Sequence, residues 1–539
     1  MFDPLAQRYP SQRFPLYARK AMVNCSVPQA SAAGLQVMLK GGNAFDAAVA
    51  AAAALTVAEP TANGIGADAF CIAWNAREQR LVGLNSSGPA PRGISIDKLR
   101  EDGNVDHGHM PVLGWSPVTV SGAPGAWAAI NGRYGRLSLS EDLAPAVDYA
   151  RNGYAVGPNL AYFWKRAAAK YASCNEDGRF DAWFDTFTSN GACPQVGDVV
   201  TLPDHADTLE AIGETQARAF YEGDLAKAID AASRAAGGYL RYEDLASYRP
   251  QWVEPLRVSY RGYEVCEIPP NGQGIVALMA LNILKNFKFT SKEDPQTYHR
   301  QFEAIKIAFA DAFDSVTDPN DTDVDYASYL TPEYGARKAS EIGDHAEIRT
   351  TRTPSSSGTV YLCCADGEGN MVSYIQSNYM GFGSGIVVPG TGIALQNRGA
   401  DFSLDPTRAN ALKPGKRSYH TIIPGFLMKD GLPVGPFGVM GGYMQPQGHV
   451  QVATNYIDFG LDPQQALDAP RWRWDHGNAV RVESRFDPHI AASLGRLGHE
   501  MMMSLEPADF GRGQMIVRNE SGTLIGGTES RTDSNIACL

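Results

Sequence analysis

The threonine at position 359 stands where two kinds of sequence meet. Before it runs Thr350-Thr351-Arg352-Thr353-Pro354-Ser355-Ser356-Ser357-Gly358, polar and loop-like; after it, residues 359–365 read TVYLCCA, the pattern of a strand buried on both faces. A hydroxyl is a weak nucleophile and needs a base beside it. If the peptide bond before Thr359 is cut, the freed α-amine lies on the same residue as Oγ. With an ordinary pKa of about 7.7–8.0 it can serve as that base near neutral pH. One residue then supplies nucleophile and base for attack on an amide carbonyl. An ordinary hairpin strand beginning at Gly358-Thr359 has the same local pattern, so the wider chain must decide.

The elements that would hold such a group are legible on either side. Residues 366–369 make a tight turn and 370–377 a second strand, so Thr359 opens a predicted hairpin. Residues 30–40 carry apolar positions at helical spacing and stop at Gly41-Gly42; Asn43-Ala44-Phe45-Asp46 then opens a very alanine-rich, closely packed helix. Residues 69–74 (AFCIAW) and 80–84 read as paired strands, and residues 138–235 as helices with loops. Pro269-Pro270-Asn271-Gly272-Gln273-Gly274 is a rigid turn into an apolar helix over 275–284. From 330 to 357 the apolar pattern fades and the chain reads as loop, mobile at its end. The last third is mostly strands, with helices after Gly442 and around 463–469.

Composition excludes several classes of function. The 539 residues carry 47 basic and 59 acidic side chains, a net charge of −12, and no basic run long enough to follow a phosphate backbone. A nucleic-acid partner is not expected. Residues 1–20 hold prolines and charges where a signal peptide needs an apolar run, and the alanine-rich stretch at 44–58 is too short to span a bilayer. A soluble, cytoplasmic protein without a membrane partner is the expectation. The eight cysteines form no CxxC pair and the ten histidines no HExxH, so neither a metal nor another cofactor is expected.

An ordered set of motifs resembles the γ-glutamyltransferase family. Thr359-Val360-Tyr361-Leu362-Cys363-Cys364 followed by Gly369-Asn370-Met371-Val372-Ser373 is similar to its processing site. Phe382-Gly383-Ser384-Gly385-Ile386, Asn397 with Asp401-Phe402, Lys416-Arg417 and Gly441-Gly442 follow in order, and Gly41-Gly42-Asn43-Ala44-Phe45-Asp46-Ala47-Ala48 precedes them. The resemblance covers residues 20–535. It implies a four-layer αββα sandwich of the N-terminal-nucleophile class, cut into a large subunit (1–358) and a small one (359–539) that stay together as a heterodimer or a higher oligomer. It also implies that Thr359 is the nucleophile, with Ser377 in hydrogen-bonding support. Gly441 and Gly442 would be the backbone donors to the oxyanion, and Asp401 the grip on a substrate amine.

Where the chain departs from the family pattern, the substrate is at stake. The arginine that clamps a glutamyl α-carboxylate is replaced by Asn85, which has neither its charge nor its bidentate fork. His420-Thr421 stand for paired serines, Tyr379 for an asparagine, and Arg398 for a glutamine before the aspartate. The glutamyl pocket is thus rebuilt with a cation on a new wall, and the changes resemble the amidohydrolase and acylase branches of the family. A small amide bearing its own carboxylate, as in oxamate, is the expected substrate. γ-Glutamyl transfer, glutathione hydrolysis and cephalosporin or glutaryl acylation are the alternatives, and a catalytically silent relative is the reading from another class.

Overall fold

A computed structural model of the chain describes residues 13–349 and 358–539. The loop expected before Thr359 (350–357) and the first twelve residues lie outside the described residues. Two seven-stranded antiparallel sheets face each other. The first runs Asn535–Cys538, Ala21–Cys25, Gly358–Asp366, Met371–Tyr379, Asp68–Asn75, Arg80–Ser86, Gln251–Val253. The second runs Leu16–Ala18, Leu524–Thr528, Arg512–Arg518, Leu432–Met440, Gly425–Lys429, Tyr263–Glu267, Leu256–Tyr260. Both sheets interleave strands from before and after position 358.

Alternation along the nucleophile strand explains the layers. Tyr361, Cys363 and Ala365 point between the sheets with Phe70, Ile375, Phe426 and Ile516. Val360, Leu362 and Cys364 point the other way, into a core shared with the helices Pro28–Leu39 and Ala44–Ala58. All fifteen residues of the second helix are buried, so alanine is what lets it lie this close to the sheet. A capping box starts it: the Asn43 side chain accepts from the backbone of Asp46, and Asp46 accepts from the Asn43 N–H. On the far side, Val265, Leu427, Phe437 and Met515 pack against Gly274–Leu284, Pro295–Ser315 and Met444–Ile457. The order helix, sheet, sheet, helix is the expected four-layer sandwich.

Two segments differ from the sequence reading. Residues 330–349 are not all loop: Pro332–Ala339 is a short helix, capped by Thr331 and packed through Tyr334. Its apolar stripe is only a few residues long, too short for periodicity to register. The strand-rich last third also holds a further helix, Pro488–Arg496. Among the described residues all eight cysteines are free, and no helix is long and apolar enough to cross a membrane.

Candidate active site

Thr359 is fully buried, one residue into its strand, and a register shift sets its neighbours. Gly358 pairs with Tyr379 and Val360 with Gln376, so Ser377 and Asn378 together oppose the single residue Thr359. Such a bulge re-aims side chains. Here it brings three oxygens together: Thr359 Oγ donates to the Gly358 carbonyl at 2.7 Å, Ser377 Oγ donates to the same carbonyl at 2.8 Å, and the two hydroxyl oxygens are 3.0 Å apart. The N–H of Tyr379 donates to Ser377 Oγ at 2.8 Å and fixes that rotor. Hydroxyls of two residues thus surround the one carbonyl whose cleavage would free the Thr359 amine.

The strand Leu432–Met440 ends in Gly441 (φ +132°) and Gly442 (φ +61°), and the helix Met444–Ile457 follows. Both glycines use backbone regions closed to most side chains. Among the described residues neither N–H has an acceptor, and both lie at a helix start, where N–H groups favour negative charge. Gln273, at the end of the Pro-Pro turn, donates to the carbonyls of Thr421 (2.6 Å) and Gly442 (2.9 Å), tying this turn to the segment of His420 and Thr421.

Arg398 is buried, 1% exposed. Its Nη1 donates to Thr421 Oγ at 2.8 Å, its backbone N–H to Gln396 Oε1 at 2.8 Å, and its guanidinium carbon sits 4.2 Å from the centre of the Tyr379 ring. Nε and Nη2 have no hydrogen-bond partner among the described residues. Burial lowers its pKa, and the neighbouring Tyr379, Asp68 and Asp401 side chains oppose that shift. A buried guanidinium with two unused donors is costly unless an anion arrives. Asp401 closes the same short helical turn, Arg398–Asp401, and accepts from Tyr443 OH at 2.8 Å, directly after the glycine pair.

Asp68, which the sequence reading did not single out, organises this wall. It is the register partner of Ser377 and accepts from Gln396 Nε2 (3.2 Å), His420 Nε2 (3.0 Å) and the Gly88 N–H (3.2 Å). His420 Nδ1 accepts from Ile422 N, so Nε2 carries the proton in this network. Both hydrogen-bonding supports of Arg398, Gln396 and the His420-Thr421 segment, are therefore anchored on one carboxylate. Burial raises the Asp68 pKa to about 7, opposed by the Arg398 charge. Burial, then the same charge, hold His420 neutral well below its ordinary pKa. A lone acid opening an apolar strand was the only sequence signal.

Asn85 is buried and engaged away from charge: Nδ2 donates to Asn271 Oδ1 at 2.9 Å, and Oδ1 accepts from the Ser87 N–H and Oγ. Elsewhere, His299, Glu303 and His499 bring potential metal-ligand atoms within 4.8 Å of one another. The two rings already share a 2.8 Å hydrogen bond, and Lys306 Nζ lies 2.7 Å from Glu303, so an ammonium takes the place of a cation there.

Fold and site together define an amide hydrolase of the N-terminal-nucleophile class. Residues 30–539 match the family model for gamma-glutamyltranspeptidase, and the chain belongs to that family. It is 37% identical to a glutathione hydrolase-like proenzyme of Bacillus subtilis, over 94% of this chain and 95% of the relative. It is 33% identical to an oxamate amidohydrolase proenzyme of Klebsiella pneumoniae, over 94% and 96%. The crystal structure of a cephalosporin acylase from Bacillus halodurans superposes with a TM-score of 0.97 at 54% identity, covering 100% of this chain and 99% of that one.

Proposed function

We propose that the chain cuts itself between Gly358 and Thr359 into fragments 1–358 and 359–539, and that Thr359 then hydrolyses a small amide bearing a carboxylate. The observation that carries the cut is the cluster of Gly358 O, Thr359 Oγ and Ser377 Oγ. The acidic substrate is supported by Nε and Nη2 of Arg398, which have no hydrogen-bond partner among the described residues, together with the oxamate amidohydrolase relative.

In turnover Thr359 Oγ bonds to the amide carbonyl carbon while its proton passes to the α-amine of the same residue. The N–H groups of Gly441 and Gly442 receive the oxyanion. The proton moves on to the leaving nitrogen as the C–N bond breaks. Water, deprotonated by the same amine, then attacks the ester, frees the carboxylic acid and restores Thr359. Arg398 and Thr421 hold the substrate carboxylate, with Tyr379 and His420 shaping the wall and Asn85 supporting it through Asn271.

A second reading, γ-glutamyl hydrolysis or transfer, is favoured by Asp401, a buried carboxylate steered by Tyr443 and suited to a substrate ammonium. One comparison separates the two: purified enzyme is given oxamate, γ-glutamyl anilide and glutaryl anilide, and the initial rates are read. Oxamate turnover that exceeds γ-glutamyl turnover supports the first reading. The reverse order replaces it with the second.

A further inference from the structure

Tyr379 ends its strand in a backbone conformation that bulky side chains rarely adopt. Its φ is +75°, and of the eight non-glycine residues with positive φ among the described residues it is the only one inside a strand. The ring is buried as well. Such a conformation costs energy and persists only where the surroundings impose it. Here Asn397 grips the chain on both sides. Its backbone N–H donates to the Asn378 carbonyl at 3.2 Å, and its Oδ1 accepts from the Met380 N–H at 3.1 Å. Asn397 is itself buried, and its Nδ2 donates to the Val112 carbonyl at 2.9 Å.

The backbone and the ring of Tyr379 reach two different parts of the site. Its N–H, 2.8 Å from Ser377 Oγ, takes up an acceptor position of that hydroxyl and leaves the serine proton to the Gly358 carbonyl. Its ring centre lies 4.2 Å from the guanidinium carbon of Arg398, close enough for cation–π attraction. With the ring on one face and Nη1 on Thr421, the guanidinium is held in place. Nε and Nη2, which have no hydrogen-bond partner among the described residues, form the edge that remains. Two parallel N–H groups on such an edge match the two oxygens of a carboxylate. Asn397 directly precedes Arg398, so the residue that imposes the left-handed turn also sets the guanidinium against the ring.

Resting on the reading of Thr359 as nucleophile and Arg398 as the partner of the substrate carboxylate, we propose that Tyr379 is a positioning residue for both the cut and turnover. Its left-handed backbone orients Ser377 for self-cleavage. Its ring orients the Nε and Nη2 edge of Arg398 toward the carboxylate. The two tasks are separable, because the first needs a backbone conformation and the second needs a ring.

Three substitutions in the full-length chain separate them. Tyr379→Gly takes positive φ freely but has no ring. Its precursor should mature at close to the parental rate on a denaturing gel, while KM for oxamate rises about tenfold, the scale of a desolvated cation–π contact. The loss in kcat should be smaller, and KM for the neutral analogue oxamide should change little. Tyr379→Ile, whose branched side chain resists that region, should mature about tenfold more slowly, a part of what removing an oxyanion donor costs. Tyr379→Phe keeps both features and should recover most of both. If Tyr379→Ile yields no folded precursor, Asn397→Ala, which releases the Met380 N–H, reads the same slowing, and Asn397→Asp should reverse it. The proposal is overturned if Tyr379→Gly weakens oxamate and oxamide alike, if Tyr379→Phe is as poor as Tyr379→Gly, or if the ring-less or branched variants leave both KM and maturation unchanged. Failure of the acidic-amide reading looks different: the parent enzyme then prefers γ-glutamyl anilide. The ring is in that case judged by the same KM ratio between that compound and its decarboxylated analogue 4-aminobutyranilide, and the maturation rates are read as before.

Discussion

Thr359 Oγ and Ser377 Oγ lie 3.0 Å apart, and both contact the carbonyl oxygen of Gly358. The pair exists because one residue of the first strand faces two of the second. The serine hydroxyl points at the oxygen on which negative charge builds during self-cleavage. Removing a donor to such an oxygen usually costs about 10²–10³ in rate. Ser377→Ala should slow maturation by that factor, read from the two-band pattern on a denaturing gel over time, and Ser377→Thr should restore most of it. Maturation of Ser377→Ala at the parental rate would remove the serine from the mechanism.

The cut itself is expected without any protease. N-terminal sequencing of the smaller fragment should begin Thr-Val-Tyr-Leu. Thr359→Ala should remain one inactive chain, and Thr359→Ser should cut slowly. Efficient cleavage in Thr359→Ala would refute the scheme.

Gly441 and Gly442 are expected to serve through backbone N–H groups. Gly442→Val, at φ +61°, should lower turnover by about 10²–10³. The strain of a side chain in that region should cost roughly 1–2 kcal/mol, visible in the Tm. Near-normal turnover in this variant would move the oxyanion site elsewhere.

Arg398→Gln removes a charged partner for the substrate carboxylate, an interaction worth about 1.5–3 kcal/mol. KM for a carboxylated amide should rise about ten- to a hundredfold, with a smaller change for the matching neutral amide. Equal effects on both would mean that the guanidinium is only structural.

Asp68 sets a pH dependence. Burial raises its pKa to about 7, and the charged groups facing it are Arg398 and Arg417, with neutral His420 and Gln396 beside them. As pH rises through about 7 the new negative charge competes with the substrate carboxylate for Arg398, so KM should climb, and in Asp68→Asn it should stay flat. The sign for stability follows from the same shift. The folded state binds more protons than the unfolded chain between about pH 4 and 7, so the Asp68 contribution to stability falls as pH rises across that window. Thermal melts of parent and Asp68→Asn should therefore diverge toward neutral pH. Parallel curves would contradict this account.

Much of the fold was readable because it rests on local patterns. The capped alanine helix, the strand pair at residues 69–84 and the hairpin opened by Thr359 each carry their periodicity and turn residues within a few positions. The motif order supplied the layers. The wall around Arg398 was readable only in part. Tyr379, Arg398, His420 and Thr421 stood out as departures from a family pattern, but their joint anchor was hidden. Asp68 and Gln273 act across more than 100 residues of sequence, on Gln396, His420, Thr421 and Gly442. Nothing in their immediate neighbours marks them, since a buried carboxylate and an exposed strand-start acid look alike until the chain is folded.

The interleaving of strands has a consequence for the fate of a cut chain. In the first sheet the hairpin of residues 358–379 is flanked by Ala21–Cys25 on one edge and Asp68–Asn75 on the other, and in the second sheet four later strands lie between earlier ones. A nick at position 358 leaves neither product with a complete sheet of its own. Parting the two pieces means tearing backbone ladders and opening the core between the sheets, which is the same event as losing the native state. The nicked molecule therefore behaves on dilution as one body: its pieces do not exchange with those of other molecules, and its lifetime is set by a single unfolding barrier rather than by an affinity.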